Sequence, residues 1–501
     1  MRMRCTDAAL STGKHENSAR SSSVGRDAGF QTRGKTLQNA VFIEFANRER
    51  IMNQQADRAA VERPAAVPFS EALKFWFKLG FISFGGPAGQ IAIMHQELVE
   101  ERRWISEKRY LHALNYCMLL PGPEAQQLAT YIGWMMHRTW GGVVAGTLFV
   151  LPSLFIIILL SWIYIAFGQL PAVAGLFYGI KPAVTAIVVQ AAHRIGSRAL
   201  KNNVLWGIAA AAFVAIFVAN VPFPIIVLTA AVAGYLGGRI VPNKFQKGGG
   251  HGSAKQSYGP AIIDDDTPVP EHARFRMSRL IAVVIVGALL WAMPMLVLTL
   301  LFGWHGALTQ MGWFFTKAAL MTFGGAYAVL PYVFQGAVTH HEWLSATQMI
   351  DGLALGETTP GPLIMVVAFV GFIGSYLGEV FGPEHLFAAG AVGAAIVTWF
   401  TFLPSFLFIL AGGPLVESTH NDLKFTAPLS AITAAVVGVI LNLALFFGYH
   451  VLWPQGLAGQ FDAISAAIAV AAAIALFRFQ RNVMEVIAAC ALVGLLVSLV
   501  Q

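Results

Sequence analysis

A lysine inside an apolar stretch is costly, and this chain places two of them at matching positions. Lys78 and Lys317 each lie six residues before the phenylalanine of a Phe-Gly-Gly triplet, Phe84-Gly85-Gly86 and Phe323-Gly324-Gly325. A cation at such a place marks an ion site unless its stem snorkels to the interface. Downstream of each triplet stands a Pro-Gly-Pro, Pro121-Gly122-Pro123 and Pro360-Gly361-Pro362. A Gly-Pro break opens a new helix start, whose unpaired N–H groups and positive dipole end favour an anion. Proline suits that first turn because the N–H it lacks would have no partner there. Gln126, Gln127, Thr358 and Thr359 supply hydrogen-bond donors beside the breaks. Glu124 follows the first break and Glu357 precedes the second by three residues. A carboxyl at that depth can carry a proton, with capping of its own helix end as the equal alternative for Glu124. These residue types suit a substrate-binding site for a tetrahedral oxyanion: Lys78, Gly85, Gly86, Pro121, Gly122, Pro123, Gln126, Lys317, Gly324, Gly325, Thr359, Pro360, Gly361 and Pro362. Glu124 and Glu357 are the candidates for proton coupling. The bland competitor is that each Pro-Gly-Pro only kinks a span for packing.

The elements that must position these residues come in two copies. Lys78, Gly85-Gly86, Trp104-Ile105-Ser106 and Pro121-Gly122-Pro123 recur as Lys317, Gly324-Gly325, Trp343-Leu344-Ser345 and Pro360-Gly361-Pro362, each 239 positions later in one gapless register. The glutamates break the symmetry, since Leu363 matches Glu124 and Met118 matches Glu357. The 501 residues are 56% hydrophobic and 12% charged, with mean hydropathy +0.63, whereas soluble domains carry about 25% charge. The chain is an all-α polytopic membrane protein with the bilayer as its solvent, and its net charge of +7 is a matter of topology rather than of nucleic-acid binding. Six apolar segments lie between 70 and 240, one at 280–302 and six between 311 and 500. An even number returns the chain to its starting side and the extra helix flips it, so two inverted-topology repeats with broken or re-entrant helices are expected, a common plan for secondary transporters. The expected parts are a disordered cytoplasmic tail over 1–67, a first membrane repeat over 68–241, a cytoplasmic linker over 242–279, a connecting transmembrane helix over 280–302 and a second repeat over 303–501.

Charge bias decides how the first two segments of each repeat run. If all thirteen segments span, the loop with Arg102, Arg103, Lys108 and Arg109 falls outside, against the positive-inside rule. If those segments are hairpins folded back at Phe-Gly-Gly and Pro-Gly-Pro, that loop joins Arg138, Arg194 to Lys201, the linker, Lys424, Arg478 and Arg481 on the inner side. The six loops left outside contain no Lys or Arg, so hairpins are the preferred reading.

Other patterns carry less. Gly29 to Thr36 fits the phosphate-loop pattern, but no strand precedes it and no nucleotide-binding unit fits in the tail. The tail holds eleven Lys/Arg and lacks a signal-peptide apolar core; Met52 is an alternative start. Cys5, Cys117 and Cys490 are scattered free thiols, and His95, His112 and His137 lie too far apart for a zinc site. No metal or cofactor is expected. The sequence leaves room for a homodimer.

The run Phe81 to Ala92 (FISFGGPAGQIA), followed by Met118 to Gly133 (MLLPGPEAQQLATYIG), resembles the chromate ion transporter family. So do Met321 to Val333 (MTFGGAYAVLPYV) and the GETTPGPL that begins at Gly356. The resemblance covers about residues 68 to 501 and is similar to the long-chain, two-unit form. It implies a bacterial inner-membrane efflux protein for chromate, with sulfate as the look-alike anion; charge bias and the count of spans lead to the expectation of a cytoplasmic N-terminus and a periplasmic C-terminus. Export of a dianion from an inside-negative cell runs with the potential and gains about 2.3 kcal/mol per charge per 100 mV, so membrane potential or a proton gradient is a sufficient drive. The alternatives are a sulfate or other oxyanion carrier working inward, a channel, and a membrane oxyanion reductase, for which no haem or dinucleotide motif is found.

Overall fold

At each Phe-Gly-Gly and Pro-Gly-Pro the chain leaves the helix, turns and comes back. The computed structural model describes residues 65–245, 258–418 and 426–500. The tail up to residue 64, residues 246–257 of the linker and Lys424, on which the sequence raised expectations, lie outside the described residues. Helix α1 (Phe69–Ile82) ends before the first triplet, and α2 (Gly86–His95), continued by a π-helical turn at Gln96–Glu101, returns beside it. The return is fixed by Lys78 Nζ at 2.9 Å from Glu97 Oε1, by the Arg102 guanidinium 5.0 Å above the Phe75 ring, and by the Phe75–Trp104 ring pair at 4.9 Å. Helix α3 (Glu107–Cys117) then runs in to Pro121-Gly122-Pro123, and α4 (Glu124–Phe167) runs back out. His137 of α4 lies 2.9 Å from the carbonyl oxygen of Val67. Residues 67, 102 to 106 and 137 therefore share one face, and both segments are re-entrant hairpins. At the second tip Gly122 and Pro123 are buried in protein, whereas Gly85 at the first is exposed; irregular backbone at membrane depth is tolerated only within protein or along a water-filled cavity.

The helix that follows the first Pro-Gly-Pro ends at His137 (φ −132°, ψ 36°) and Arg138 (φ 57°, ψ −158°), where the chain turns back on itself: Gly141 packs against Gly133 and Gly142 against Thr130, and the second part of α4 crosses to the opposite face at Phe167. Helices α5 (Pro171–Ala199), α6 (Asn203–Phe217) and α7 (Phe223–Ile240) then alternate between faces, and α8 (Met277–Phe302) makes the extra crossing. The second unit starts from that far face. It comprises α9 (Ala307–Leu320), α10 (Ala326–Phe334) with its π-helical turn Gln335–His340, α11 (Ala346–Thr358), α12 (Val366–Leu377), α13 (Leu386–Ser418), α14 (Thr426–Leu452), α15 (Ala463–Phe477) and α16 (Val483–Val500). Phe314 and Trp343, the counterparts of Phe75 and Trp104, again pair, at 5.6 Å. Phe302 and Phe381 meet at 6.0 Å, which returns the second pair of hairpins to the far face. The repeat is inverted.

One difference between the copies shifts the register. Where the two parts of α4 are joined by the short turn at His137–Arg138, the second unit has α12, a loop at 378–385 and α13. The Leu151-Pro152-Ser153 of α4 consequently recurs in α13 as Leu403-Pro404-Ser405, 252 rather than 239 positions later. Beyond this point the units exchange partners. Helix α5 packs on α15 and α16 of the second unit, and its counterpart α14 packs on α6 and α7 of the first. Small residues permit the close approach: Gly179 lies against Cys490 and Gly494, and Gly438 against Ala209 and Phe213. Helices α6 and α15 have 15 residues each, about 22 Å at 1.5 Å per residue. They are short for a hydrocarbon core of about 30 Å, and they match each other.

The linker is tied to the face from which α1 starts. Ile262 and Ile263 donate backbone hydrogen bonds to Arg103 (3.1 Å) and Trp104 (3.0 Å), and Ser106 N donates to Ile263 at 2.9 Å. We call this the linker face. Arg102, Arg103, Lys108, Arg109, Arg138, Arg194, Arg239, Arg478 and Arg481 lie at it, whereas the far-face loops carry no Lys or Arg.

Candidate functional site

Each Pro-Gly-Pro turn is bound to the Phe-Gly-Gly break of the other unit. Gly122 N donates to Thr322 O at 2.8 Å, and Gly361 N donates to Ser83 O at 2.8 Å. Gly122 and Gly361 are repeat counterparts; so are Ser83 and Thr322. The acceptors are themselves anchored alike, with Ser83 Oγ donating to Leu79 O at 2.6 Å and Thr322 Oγ1 to Ala318 O at 2.7 Å. Gln90 adds a bond from its Nε2 to Gly361 O that has no counterpart, because Val329 occupies the matching place. Both central glycines hold φ that L side chains avoid, +123° at Gly122 and +99° at Gly361. Both are also crowded by the other unit: Ser405 stands against Gly122, and a Cβ on Gly361 would lie 2.8 Å from Ser153 Cβ. The prolines that follow sit at the N-cap rather than in the first turn, with extended backbone at Pro123 and Pro362.

This crossing gathers four helix starts. Those of α2, α4, α10 and the turn Leu363–Met365 that leads into α12 have Gly85, Pro123, Gly325 and Pro362 at the N-cap, and none receives a side-chain capping bond. Helix α10 packs on Leu363–Met365, which joins the two half-sites. The amides of Gly85, Gly324 and Gly325 donate to no acceptor among the described residues, and Gly325 is buried. An unpaired buried N–H is rare in folded proteins; that of Gly325 stands at a positive dipole end, whereas Gly85 is exposed and Gly324 half-buried. Gln126 and Gln127 are fully buried in the first two turns of α4. Gln126 Nε2 donates to Thr130 Oγ1 at 3.0 Å and Gln127 Nε2 to Pro121 O at 2.7 Å, while both amide oxygens lack partners. An amide flip at either residue would present an NH2 group instead. Thr359 is 5% exposed and donates to Gly356 O at 3.2 Å.

The structure brings together the glycines, the prolines, Gln126 and Thr359, but not the lysines. Lys78 is 55% exposed and reaches back toward the linker face to Glu97, which also takes Arg102. Lys317, likewise exposed, lies 5.6 Å over the Trp313 ring one turn back toward the far face. Glu357 is buried, and Tyr327, one residue into α10, donates its hydroxyl to it. Glu124 is buried at the first position of α4. Sequence reasoning passed over Ser83, Thr322, Gln90, Tyr327, Ser153 and Ser405. The repeated Leu-Pro-Ser was the signal available for the last two.

Two polar clamps flank the junction, one toward each face. On the linker side Glu417 of α13 accepts from Arg109 Nη1 of α3 at 2.9 Å and from the Tyr131 hydroxyl, and Arg109 Nη2 also donates to Thr267 O of the linker at 2.7 Å. On the far side Asp351 of α11 accepts from Tyr164 of α4 at 2.9 Å and pairs with Lys181 Nζ at 3.5 Å. Each clamp ties the end of one unit's spanning helix to the second hairpin of the other. Asp351 is 2% exposed, and an intramembrane acid of this kind was visible in the sequence between apolar neighbours.

Comparison with known proteins agrees with this architecture. The chromate transporter family matches residues 70–235 and 309–495, the two repeats. The chain is similar to the chromate transport protein of Cupriavidus metallidurans, with 28% identity over 427 residues, 85% of this chain and 92% of that protein. It is similar to the chromate transport protein of Pseudomonas aeruginosa, with 32% identity over 403 residues, 79% and 86% of the two chains. A probable chromate transport protein of Synechococcus elongatus is 27% identical over 386 residues, 76% and 85%. No solved structure matches. The match over both repeats, in a protein that is helical throughout its described membrane part and has seven helices long and apolar enough to cross a membrane among the described residues, places this chain in the chromate transporter family.

Proposed function

We propose that the protein exports chromate across a bacterial inner membrane as a secondary transporter, with the crossed Phe-Gly-Gly and Pro-Gly-Pro turns as its substrate site. The observation that carries this reading is the reciprocal pair of bonds, Gly122 to Thr322 and Gly361 to Ser83, beside four uncapped helix starts, of which those at Pro123, Gly325 and Pro362 are buried. A tetrahedral dianion suits that setting, because amide donors and dipole ends supply positive potential without the desolvation cost of buried cations. Sulfate has the same charge and shape and is the expected competitor. Lys78 and Lys317 act from their hairpins as charges along the approach from either face. The linker face, which holds the arginines, is the cytoplasmic one by the positive-inside rule, so the chain ends in the periplasm. Membrane potential drives a dianion outward at about 2.3 kcal/mol per charge per 100 mV. Glu357, held by Tyr327, is the site at which a proton gradient would couple, and Glu124 is the second candidate.

The test is uptake of radiolabelled chromate into everted vesicles with an imposed interior-positive potential. Accumulation that follows the potential and is blocked by sulfate supports the reading. Sulfate transport without chromate transport would replace the substrate, and a non-saturable flux would replace the carrier with a pore.

A further inference from the structure

The hydroxyls of Ser153 and Ser405 have no evident structural task. Both residues are fully buried near the middle of spanning helices, in α4 and α13. Buried Ser and Thr within these helices ordinarily return their proton to their own backbone four residues back. Ser161 does so to Ile157 O at 2.6 Å, Thr130 to Gln126 O at 2.9 Å, Thr398 to Ala394 O at 2.7 Å and Thr401 to Val397 O at 2.7 Å. Ser153 Oγ has no hydrogen-bond partner among the described residues. Ser405 Oγ accepts a long bond of 3.5 Å from Gln127 Nε2 and donates to nothing among the described residues. A buried hydroxyl left unbonded is costly and calls for an explanation.

Their positions give one. Ser153 belongs to the first unit and stands at the second unit's Pro-Gly-Pro: a Cβ on Gly361 would lie 3.2 Å from its Oγ. Ser405 belongs to the second unit and stands at the first unit's Pro-Gly-Pro, against Gly122. Each follows a helix-interior proline, Pro152 and Pro404, which removes an amide donor from the helix ladder. The two serines are thus equivalent under the internal repeat, although the thirteen-residue shift between 239 and 252 hides the match.

We propose that Ser153 and Ser405 are oxyanion ligands, one hydroxyl donor on each half of the crossed-turn site. This rests on the oxyanion reading above and adds two residues that contact the substrate. Hydroxyl donors to an ionised acceptor form short, strong bonds. Two of them, approaching from opposite units, complement the amides of the helix starts on a tetrahedral ion.

The experiment uses the purified full-length transporter with chromate and sulfate as probes, and reads three quantities for the wild type, Ser153→Ala, Ser405→Ala and the double variant: dissociation constant, transport rate and melting temperature. Each single change is expected to weaken binding of both anions about tenfold or more, with a larger loss in the double variant. Ser153→Ala is expected to raise the melting temperature of the anion-free protein, since it deletes an unpartnered buried hydroxyl. A packing role predicts the reverse pattern, with lower stability and unchanged affinity, and would overturn the proposal. Ser153→Cys, nearly isosteric with a weaker donor, is expected to bind with intermediate affinity; wild-type affinity in Ser153→Cys and in both alanine variants would also overturn it. If the wild type itself binds neither anion, the oxyanion reading falls and the serine assignment with it. If the wild type binds and the variants bind equally well, only the serine assignment falls.

Discussion

Replacing Gly361 by alanine isolates what the crossed turn requires. Two costs follow from the geometry. Alanine must hold φ near +99°, which costs an L residue about 1–2 kcal/mol. Its Cβ must also fit 2.8 Å from Ser153 Cβ and 3.2 Å from Ser153 Oγ, and overpacking of that kind costs about 1–3 kcal/mol. The total is about 2–5 kcal/mol, borne where the second unit's turn meets the first unit's spanning helix. If 2 kcal/mol of it falls on the transport-competent arrangement, turnover drops about 30-fold at 1.4 kcal/mol per decade. Gly382→Ala is the internal standard. Its φ is +83°, and nothing lies within 4 Å of the added Cβ, so it carries the strain alone, on a far-face loop. Thermal unfolding in detergent should rank Gly361→Ala well below Gly382→Ala. Gly361→Ala with Ser153→Gly should recover the crowding part, because both close atoms belong to Ser153, but not the transport. Equal stability of the two alanine variants, or no coupling between Gly361→Ala and Ser153→Gly, would refute the crossed-turn geometry.

Three further outcomes are expected. Arg109→Met leaves Glu417, 5% exposed at its side chain, without its cation and should destabilise the protein by about 3–5 kcal/mol, with most of the loss recovered in Arg109→Met/Glu417→Leu; unfolding of the single and double variants in detergent measures both. His341, stacked on Trp343 at 4.4 Å, has its proton affinity lowered to about 4 by burial, with His340 and Lys317 adding to the effect. The unfolded chain then binds the extra proton between about pH 6.5 and that value, so stability should fall as pH drops through this window and His341→Gln should flatten the profile; an unchanged slope would remove His341 as the source. Cysteines placed as Ser106→Cys and Ser345→Cys should react with an impermeant thiol reagent from opposite sides of the membrane, and labelling from one side would contradict the inverted repeat.

The fold was largely legible because its strongest signals are local. The apolar segments whose parity sets the topology and the absence of Lys and Arg from six loops are properties of short windows, and the 239-position register compares one short window with another. The hairpins followed from charge alone, and the structure displays them through Phe75 with Trp104 and Phe314 with Trp343. The lysines show where local reasoning misleads. A four-carbon stem in an apolar segment says only that the charge must reach something polar. Lys78 satisfies this at Glu97, a residue 19 positions away that was unremarkable in the sequence.

The candidate site was legible only by halves, and the reason is topological. Each half is made of a turn from one unit and a break, a serine and a clamp from the other. The pairs Gly122–Thr322, Gly361–Ser83 and Arg109–Glu417 therefore join residues of different units, far apart along the chain, where no spacing rule applies. Repetition is the one sequence property that reaches across that distance, and it fails where one copy has gained residues. The loop at 378–385 shifts Leu-Pro-Ser out of the 239 register and conceals that Ser153 and Ser405 are equivalent. The same crossing gives the inverted repeat its mechanical content. Because the far-side clamp uses α4 and α11 while the linker-side clamp uses α13 and α3, neither unit can move its hairpins without disturbing bonds made by the other unit's spanning helix. The two faces are coupled through the buried turns that lie between them, which is the condition an alternating carrier must meet and a pore need not.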